Sequence, residues 1–152
     1  MNNHSIRYLN LEIMELTLHY DKDSDIIIVK ALAEITKENI RIASEKAIEL
    51  SKKHHCNYLL INLSECPIGQ SLIDGFWSMQ DMEKSFGLSL HYNLAVIYNP
   101  KTYPKERAQF IENVVTNRIN PTLRMFASDE EARKWLKEKR PNTSENNTIP
   151  LK

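Results

Sequence analysis

The sequence has few cysteines and no excess of charge of either sign. Cys56 and Cys66 are its only two cysteines, and they are not spaced as a Cys-x-x-Cys pair. A chain of 152 residues can bury enough apolar surface to fold without disulfides, so we expect both thiols to be reduced. Lys and Arg together number 20, as do Asp and Glu, and the formal net charge is zero. Because a nucleic-acid partner normally requires excess positive charge, this balance argues against one.

The sequence also lacks a long apolar run and the motifs of a metal site. No stretch approaches the roughly 20 apolar residues of a membrane span, and residues 1–5 lack the basic start and apolar core of a signal peptide. We therefore expect a cytoplasmic protein without a membrane span.

Among five histidines only His54 and His55 are close, and neighbours on a helix point to different faces. The sequence predicts no metal site and no cofactor.

Apolar periodicity predicts five strands and four helices in one domain. Period-two alternation and short apolar runs predict strands at 15–20, 26–29, 58–63, 94–98 and 123–126. Helical spacing predicts helices after Thr36, from about 70 to 87, from Pro104, and after a capping box that Ser128 opens and Glu131 completes. This β-β-α-β-α-β-α-β-α order implies an α/β fold with a mostly parallel five-stranded sheet and helices on both faces.

The two ends of the chain are predicted to lie outside the folded domain. Residues 1–10 are predicted to be a flexible N-terminus, and residues 11–140 the domain itself. Residues 141–152 are rich in Asn, Ser and Thr and cannot bury apolar surface, so they are predicted to be a disordered tail.

The element order and several local patterns resemble the SpoIIAA-like domains, the family that includes STAS domains and proteins labelled STAS/SEC14-like. The similar pieces span residues 15–138 and are the apolar strand 59–63, a helix with Phe76 and Trp77, the strand 94–98, and the ending Met125-Phe126 followed by 131–136. The resemblance implies a SpoIIAA-like fold for the domain.

The resemblance also implies two kinds of function. STAS proteins that antagonise anti-sigma factors carry an Asp-Ser-Ser-Gly-like motif after the third strand, and a kinase partner phosphorylates a serine there. Here residues 63–72 place Ser71 near the modified position, but the acidic residue and the trailing glycine are missing. The SEC14-like label instead implies a small apolar or lipid-like ligand.

The candidate site is the loop 64–71, because ligands of open α/β sheets bind at the carboxyl ends of strands, beside helix N-termini. Ser64 begins this loop, and the backbone amides around Gly69, Gln70 and Ser71 could bind a phosphate or carboxylate. Ser71 could instead bear a phosphate covalently, or simply act as a helix N-cap.

A second set of candidate residues follows the fourth strand. Asn99, Lys101 and Tyr103 should lie at the same edge as Ser64, and together they could form a polar pocket. The alternative for Lys101 is a solvated residue in a turn, since lysine is mostly exposed.

The helix predicted at 70–87 carries more apolar surface than one core stripe needs. Phe76 and Trp77 belong to this excess. They are either core residues or part of a partner surface or apolar pocket wall, because aromatic and Met side chains suit adaptable interfaces.

Three functions remain open from the sequence. The preferred hypothesis is a non-enzymatic STAS-like regulatory or protein-interaction module, anti-sigma-factor-antagonist-like, with a degenerate phosphoacceptor motif at Ser71. The alternative is a binding domain for a small apolar or anionic, lipid-like ligand. The third is a hydrolase using Ser64 or Cys66, for which no base or orienting group is evident. The sequence also allows a homodimer, and it identifies neither the partner protein nor the ligand.

Overall fold

The fold is that of a computed structural model, which describes residues 16–33, 37–66, 92–118 and 122–141. None of the three helices in these ranges is long and apolar enough to cross a membrane. The predicted N-terminus at 1–10, the helix predicted at 70–87 and the tail beyond Pro141 lie outside the described residues. The described strands are β1 (Leu16–Asp21), β2 (Ile26–Ala31), β3 (Tyr58–Asn62), β4 (Asn93–Ile97) and β5 (Leu123–Phe126), and the helices are α1 (Lys37–His54), α2 (Lys105–Arg118) and α3 (Asp129–Lys139).

The strands form one sheet in the order β1-β2-β3-β4-β5. β1 and β2 are an antiparallel hairpin, whereas β2, β3, β4 and β5 pair in parallel. The predicted α/β fold with a mostly parallel five-stranded sheet is thereby confirmed. The carboxyl ends of β2 to β5 meet at one edge of the sheet, the carboxyl edge, where ligands bind in such folds. The opposite edge, which holds the β1–β2 turn, is the amino edge.

Helices cover both faces of the sheet, as predicted. Leu59 of β3 packs in the larger core with Ala47 of α1 and Ile111 of α2, whereas the next residue, Leu60, packs in a smaller core with Leu136 of α3. Alternate side chains of an inner strand therefore enter two different cores. This is why the inner strands are nearly continuous apolar runs rather than alternating ones.

The helix ends follow from local sequence. Ser128 is extended (φ −143°, ψ 151°), and its hydroxyl accepts a hydrogen bond from the Glu131 backbone N–H at 3.2 Å. The predicted N-cap of α3 is thus confirmed. At the end of α1, His55 has φ 52° and the Cys56 N–H donates to the Ser51 carbonyl oxygen at 3.1 Å. This is a Schellman turn with histidine at the position that glycine usually occupies.

Candidate functional site

Two loops leave the carboxyl edge side by side, one after β3 and one after β4. The strands pair in register, with Asn62 opposite Ile97, and the Leu63 N–H donates to the Ile97 carbonyl oxygen at 2.9 Å. Ser64 and Asn99 each lie two residues beyond these strand ends. The structure therefore brings the starts of both candidate loops to one edge.

The first loop begins with a turn that the Asn62 side chain closes. Asn62 Oδ1 accepts hydrogen bonds from the Ser64 N–H at 3.0 Å and from the Ser64 hydroxyl at 2.6 Å. An asparagine bonded to the amide two residues ahead forms an Asx turn, which shapes a loop without help from distant residues. The Cys66 N–H then donates to the Leu63 carbonyl oxygen at 3.1 Å. Two successive turns thus define the start of the loop.

Two further contacts attach this loop to the end of β2. The Cys66 thiol donates to the Ala33 carbonyl oxygen at 3.0 Å, and Lys30 Nζ lies 2.6 Å from Glu65 Oε2. Cys66 is buried, but the side chains of Lys30 and Glu65 are 41% and 57% exposed. An ion pair that exposed contributes only about 0–1 kcal/mol. The buried thiol and the two turns are therefore the stronger restraints on the loop.

The hydrogen bonds of Ser64 and Cys66 give both residues a structural role. The Ser64 hydroxyl donates to a side-chain amide oxygen, and the Cys66 thiol donates to a backbone carbonyl oxygen. A nucleophile needs a neighbouring base that accepts its proton, and amide oxygens are too weakly basic for that task. These contacts give no support to the hydrolase hypothesis.

The second loop begins with a turn of the same kind. Asn99 Oδ1 accepts from the Lys101 N–H at 2.9 Å, and the Asn99 carbonyl oxygen accepts from the N–H groups of Thr102 and Tyr103 at 3.1 Å and 2.9 Å. Lys101 and Thr102 are exposed. The Lys101 side chain therefore meets solvent at the carboxyl edge, in a turn whose backbone is already ordered.

Two tyrosine rings are buried beside this second loop. Tyr98 and Tyr103 are each 5% exposed, and their ring centroids lie 6.4 Å apart in an edge-to-face contact. Burial raises the pKa of both phenols, and the negative charge of Glu112 adds to the rise at Tyr98. Both phenols are therefore neutral at physiological pH. Tyr103, predicted as a pocket residue, has its ring in the larger core.

Only some of the predicted site residues fall within the described part of the chain. The described ones lie at the carboxyl edge and are Ser64, Asn99, Lys101 and Tyr103. The others fall outside the described residues, so their binding roles and the phosphoacceptor role of Ser71 stay predictions: Gly69, Gln70, Ser71, Phe76 and Trp77.

Two residues of the carboxyl edge were not predicted from the sequence. Asn62 closes the first turn, and an asparagine two residues before a serine at the end of an apolar strand is a signal that could have revealed it. Tyr98 directly follows β4 in an apolar run, and nothing in that pattern distinguishes it from an ordinary core residue.

A second polar cluster lies at the amino edge, around Asp25 of the β1–β2 turn. Its carboxylate accepts from the Tyr20 hydroxyl at 2.6 Å and from Arg140 Nη1 at 2.9 Å. The Arg140 guanidinium lies 4.0 Å from the Tyr58 ring centroid, and the Tyr20 and His54 rings stack at 3.9 Å. The Tyr20–Asp25 hydrogen bond lowers the pKa of Asp25 and raises the pKa of Tyr20 to about 12. Because these groups hydrogen-bond and stack with one another, we assign the cluster a structural role.

No protein-family model and no curated protein matches the chain. Among solved structures, a similar one is the crystal structure of an uncharacterized protein from the DUF3478 family, with a SpoIIAA-like fold, from Shewanella loihica PV-4. The similarity covers 80% of this chain and 91% of that one, with a TM-score of 0.49 and 13% sequence identity.

Proposed function

We propose that this protein is a non-enzymatic STAS-like regulatory or protein-interaction module that binds a protein partner through its carboxyl edge. The observation that supports the proposal is the pair of Asx turns at Asn62 and Asn99, which begin the loops after two adjacent parallel strands. A surface whose backbone is ordered before binding loses less conformational entropy when the partner docks.

The groups that this edge offers are polar and mixed in charge. Glu65 and Lys101 are exposed and opposite in sign, and Thr102, which follows Lys101 in the sequence, is exposed as well. A polyanion such as nucleic acid favours a surface of uniformly positive charge, whereas polar groups of both signs are typical of the rim of a protein–protein interface. The edge therefore suits a protein partner better than nucleic acid.

Site-specific photo-crosslinking in cells of the native host tests this proposal. A photoreactive p-benzoylphenylalanine at position 101 is expected to give one defined crosslinked protein, identified by mass spectrometry. The matched control carries the same group at position 53, because Lys53 is also exposed but lies in the last turn of α1, at the amino edge. Equal labelling at both positions, or none at position 101, would contradict a binding site at the carboxyl edge.

The anti-sigma-factor-antagonist version of the proposal adds phosphorylation at Ser71. Phosphate adds about 1.5 to 2 negative charges at neutral pH, enough to alter recognition by a partner. Intact-mass analysis of protein purified from its native host is expected to show a phosphorylated fraction that disappears in Ser71→Ala. A Ser71 that stays unmodified across growth conditions would remove this version and leave the interaction module standing.

The small-ligand alternative has its own measurement. Native mass spectrometry of the wild-type protein from its host would show an apolar or anionic molecule that is released on denaturation. If such a molecule is found and no protein is crosslinked at position 101, the small-ligand function replaces the protein-interaction proposal.

A further inference from the structure

We infer that the hydroxyl groups of Tyr98 and Tyr103 are hydrogen-bond donors of the carboxyl-edge binding surface, and that their acceptors are backbone carbonyl oxygens of the protein partner. The inference rests on the proposed function, since it names the chemistry by which that same edge recognises its partner. The sequence places Tyr103 in a candidate polar pocket but names no acceptor for its hydroxyl, and it assigns no role to Tyr98.

The two hydroxyls have no acceptor inside the described part of the molecule. Tyr98 and Tyr103 are each 95% buried, yet neither hydroxyl takes part in a hydrogen bond there. Within the same ranges every buried polar side-chain atom does have a hydrogen-bond partner. Both hydroxyl oxygens must therefore touch solvent, while their rings remain in the core.

Two other tyrosines of the described residues, Tyr20 and Tyr92, have hydroxyl groups that are hydrogen-bonded internally. The Tyr92 hydroxyl, near the amino edge, donates to the Ser51 hydroxyl at 2.8 Å in a buried contact. The Tyr20 hydroxyl donates to the Asp25 carboxylate at 2.6 Å. A buried tyrosine normally finds a partner for its hydroxyl. The pair at the carboxyl edge departs from this pattern at the place where the proposed partner docks.

The rings hold these two hydroxyls in place. Tyr98 directly follows β4, its N–H donates to the Phe126 carbonyl oxygen at 2.9 Å, and its ring contacts that of Tyr103 edge to face. Tyr103 ends the turn that Asn99 closes. A donor on a packed ring loses little rotational freedom on binding, which is one reason why tyrosine is enriched at protein interfaces.

The surrounding charges indicate which acceptor fits. Burial keeps both phenols protonated, so each offers an O–H donor rather than a phenolate. Glu112 and Glu106 place negative charge near Tyr98, and Arg107 places positive charge near Tyr103. A neutral carbonyl oxygen meets no repulsion at either position, whereas an anion would be repelled by the carboxylates near Tyr98. A polypeptide backbone supplies such oxygens at regular spacing.

Tyrosine-to-phenylalanine variants test the inference, because they remove only the hydroxyl. With the photoreactive group at position 101, Tyr98→Phe and Tyr103→Phe are each expected to weaken formation of the crosslinked complex about fivefold, as measured by titrating the identified partner. The urea midpoint of unfolding is expected to stay at the wild-type value in both. Tyr92→Phe is the matched control, and it should lower the midpoint without changing the crosslink.

Each outcome separates this inference from the proposed function. If Tyr98→Phe and Tyr103→Phe lower the midpoint as Tyr92→Phe does, the hydroxyls have internal acceptors and the inference is wrong. If the wild-type protein and both variants crosslink equally, the inference is wrong while the proposed function stands. If the wild-type protein gives no crosslink at position 101, the proposed function fails and this inference with it.

Discussion

Arg140 donates a hydrogen bond to the Asp25 carboxylate at 2.9 Å, across 115 positions of sequence. Its second terminal nitrogen donates to the carbonyl oxygens of Ser24 and Asp25, and its guanidinium stacks over the Tyr58 ring. Arg140 is also the C-cap residue of α3. The end of the last helix is thereby attached to the first hairpin, and α3 is held over the smaller of the two cores.

Replacement of this arginine tests how much the attachment contributes to stability. Arg140→Met removes three hydrogen bonds but keeps a long side chain over Tyr58. We expect the free energy of unfolding in urea to fall by about 1–2 kcal/mol, since both partners are partly exposed. Lys137→Met, on an exposed residue of the same helix, is the control and should change it by less than about 0.5 kcal/mol. Equal losses in the two variants would show that Arg140 contributes no more than a surface charge.

The hydrogen bond from Tyr20 to Asp25 predicts a stability loss at high pH. The pKa of Tyr20 is raised from 10.0 to about 12, mainly by this hydrogen bond. A raised folded-state pKa contributes stability that is fully present below the unfolded value of 10.0 and is lost as the pH rises toward about 12. We therefore expect the stability difference between the wild-type protein and Tyr20→Phe to shrink across this window.

The measurement is a series of urea midpoints for both proteins between pH 9 and pH 12. Every other ionisable group is common to both proteins, so the difference between them isolates Tyr20. A difference that stays constant with pH would show that Tyr20 and Asp25 are not linked in solution.

In acid the same pair acts in the opposite sense, because the lowered pKa of Asp25 contributes stability that disappears as the pH falls below its ordinary value of 3.8.

The positions of the inner strands were predictable because burial on both faces requires continuous apolar runs. Residues 58–63 and 94–98 were predicted as strands, and the structure places β3 at Tyr58–Asn62 and β4 at Asn93–Ile97. Strand order then brought Ser64 and Asn99 to one edge, since parallel strands end together. The attachment of Arg140 to Asp25 was not predictable, because periodicity reports which face is buried and not which distant residue lies opposite.

The orientation of the Tyr103 side chain could not be predicted from the sequence for a related reason. It lies in a turn, where neither the period of a strand nor that of a helix assigns a side chain to the core or to solvent. A tyrosine also suits both environments, because its ring is apolar and its hydroxyl is polar. The structure places Tyr103 in the larger core.

The left-handed residue at the end of α1 predicts a stabilising substitution. His55 has φ 52°, a conformation that costs residues with a Cβ more than it costs glycine. The side chain of His55 is exposed, so little packing is lost on its removal. We expect His55→Gly to raise the free energy of unfolding by about 0.5–1 kcal/mol, after the greater freedom of glycine in the unfolded chain is subtracted. His55→Ala is the control for loss of the imidazole, and a gain of equal size in alanine would rule out the backbone explanation.

The turn closed by Asn62 makes a last prediction about the candidate site. Asn62→Ala removes the acceptor of both Ser64 hydrogen bonds, so the Ser64 amide should exchange with deuterium about fivefold faster. Asn62→Asp keeps an oxygen at the same position and should retain the protection, which separates loss of the turn from a general effect of mutation. Hydrogen exchange of peptides that contain residues 62–66, followed by mass spectrometry, measures this directly. Unchanged exchange in Asn62→Ala would mean that the contact of Cys66 with Ala33 holds the loop by itself. The paired Asx turns would then no longer support a preformed binding edge.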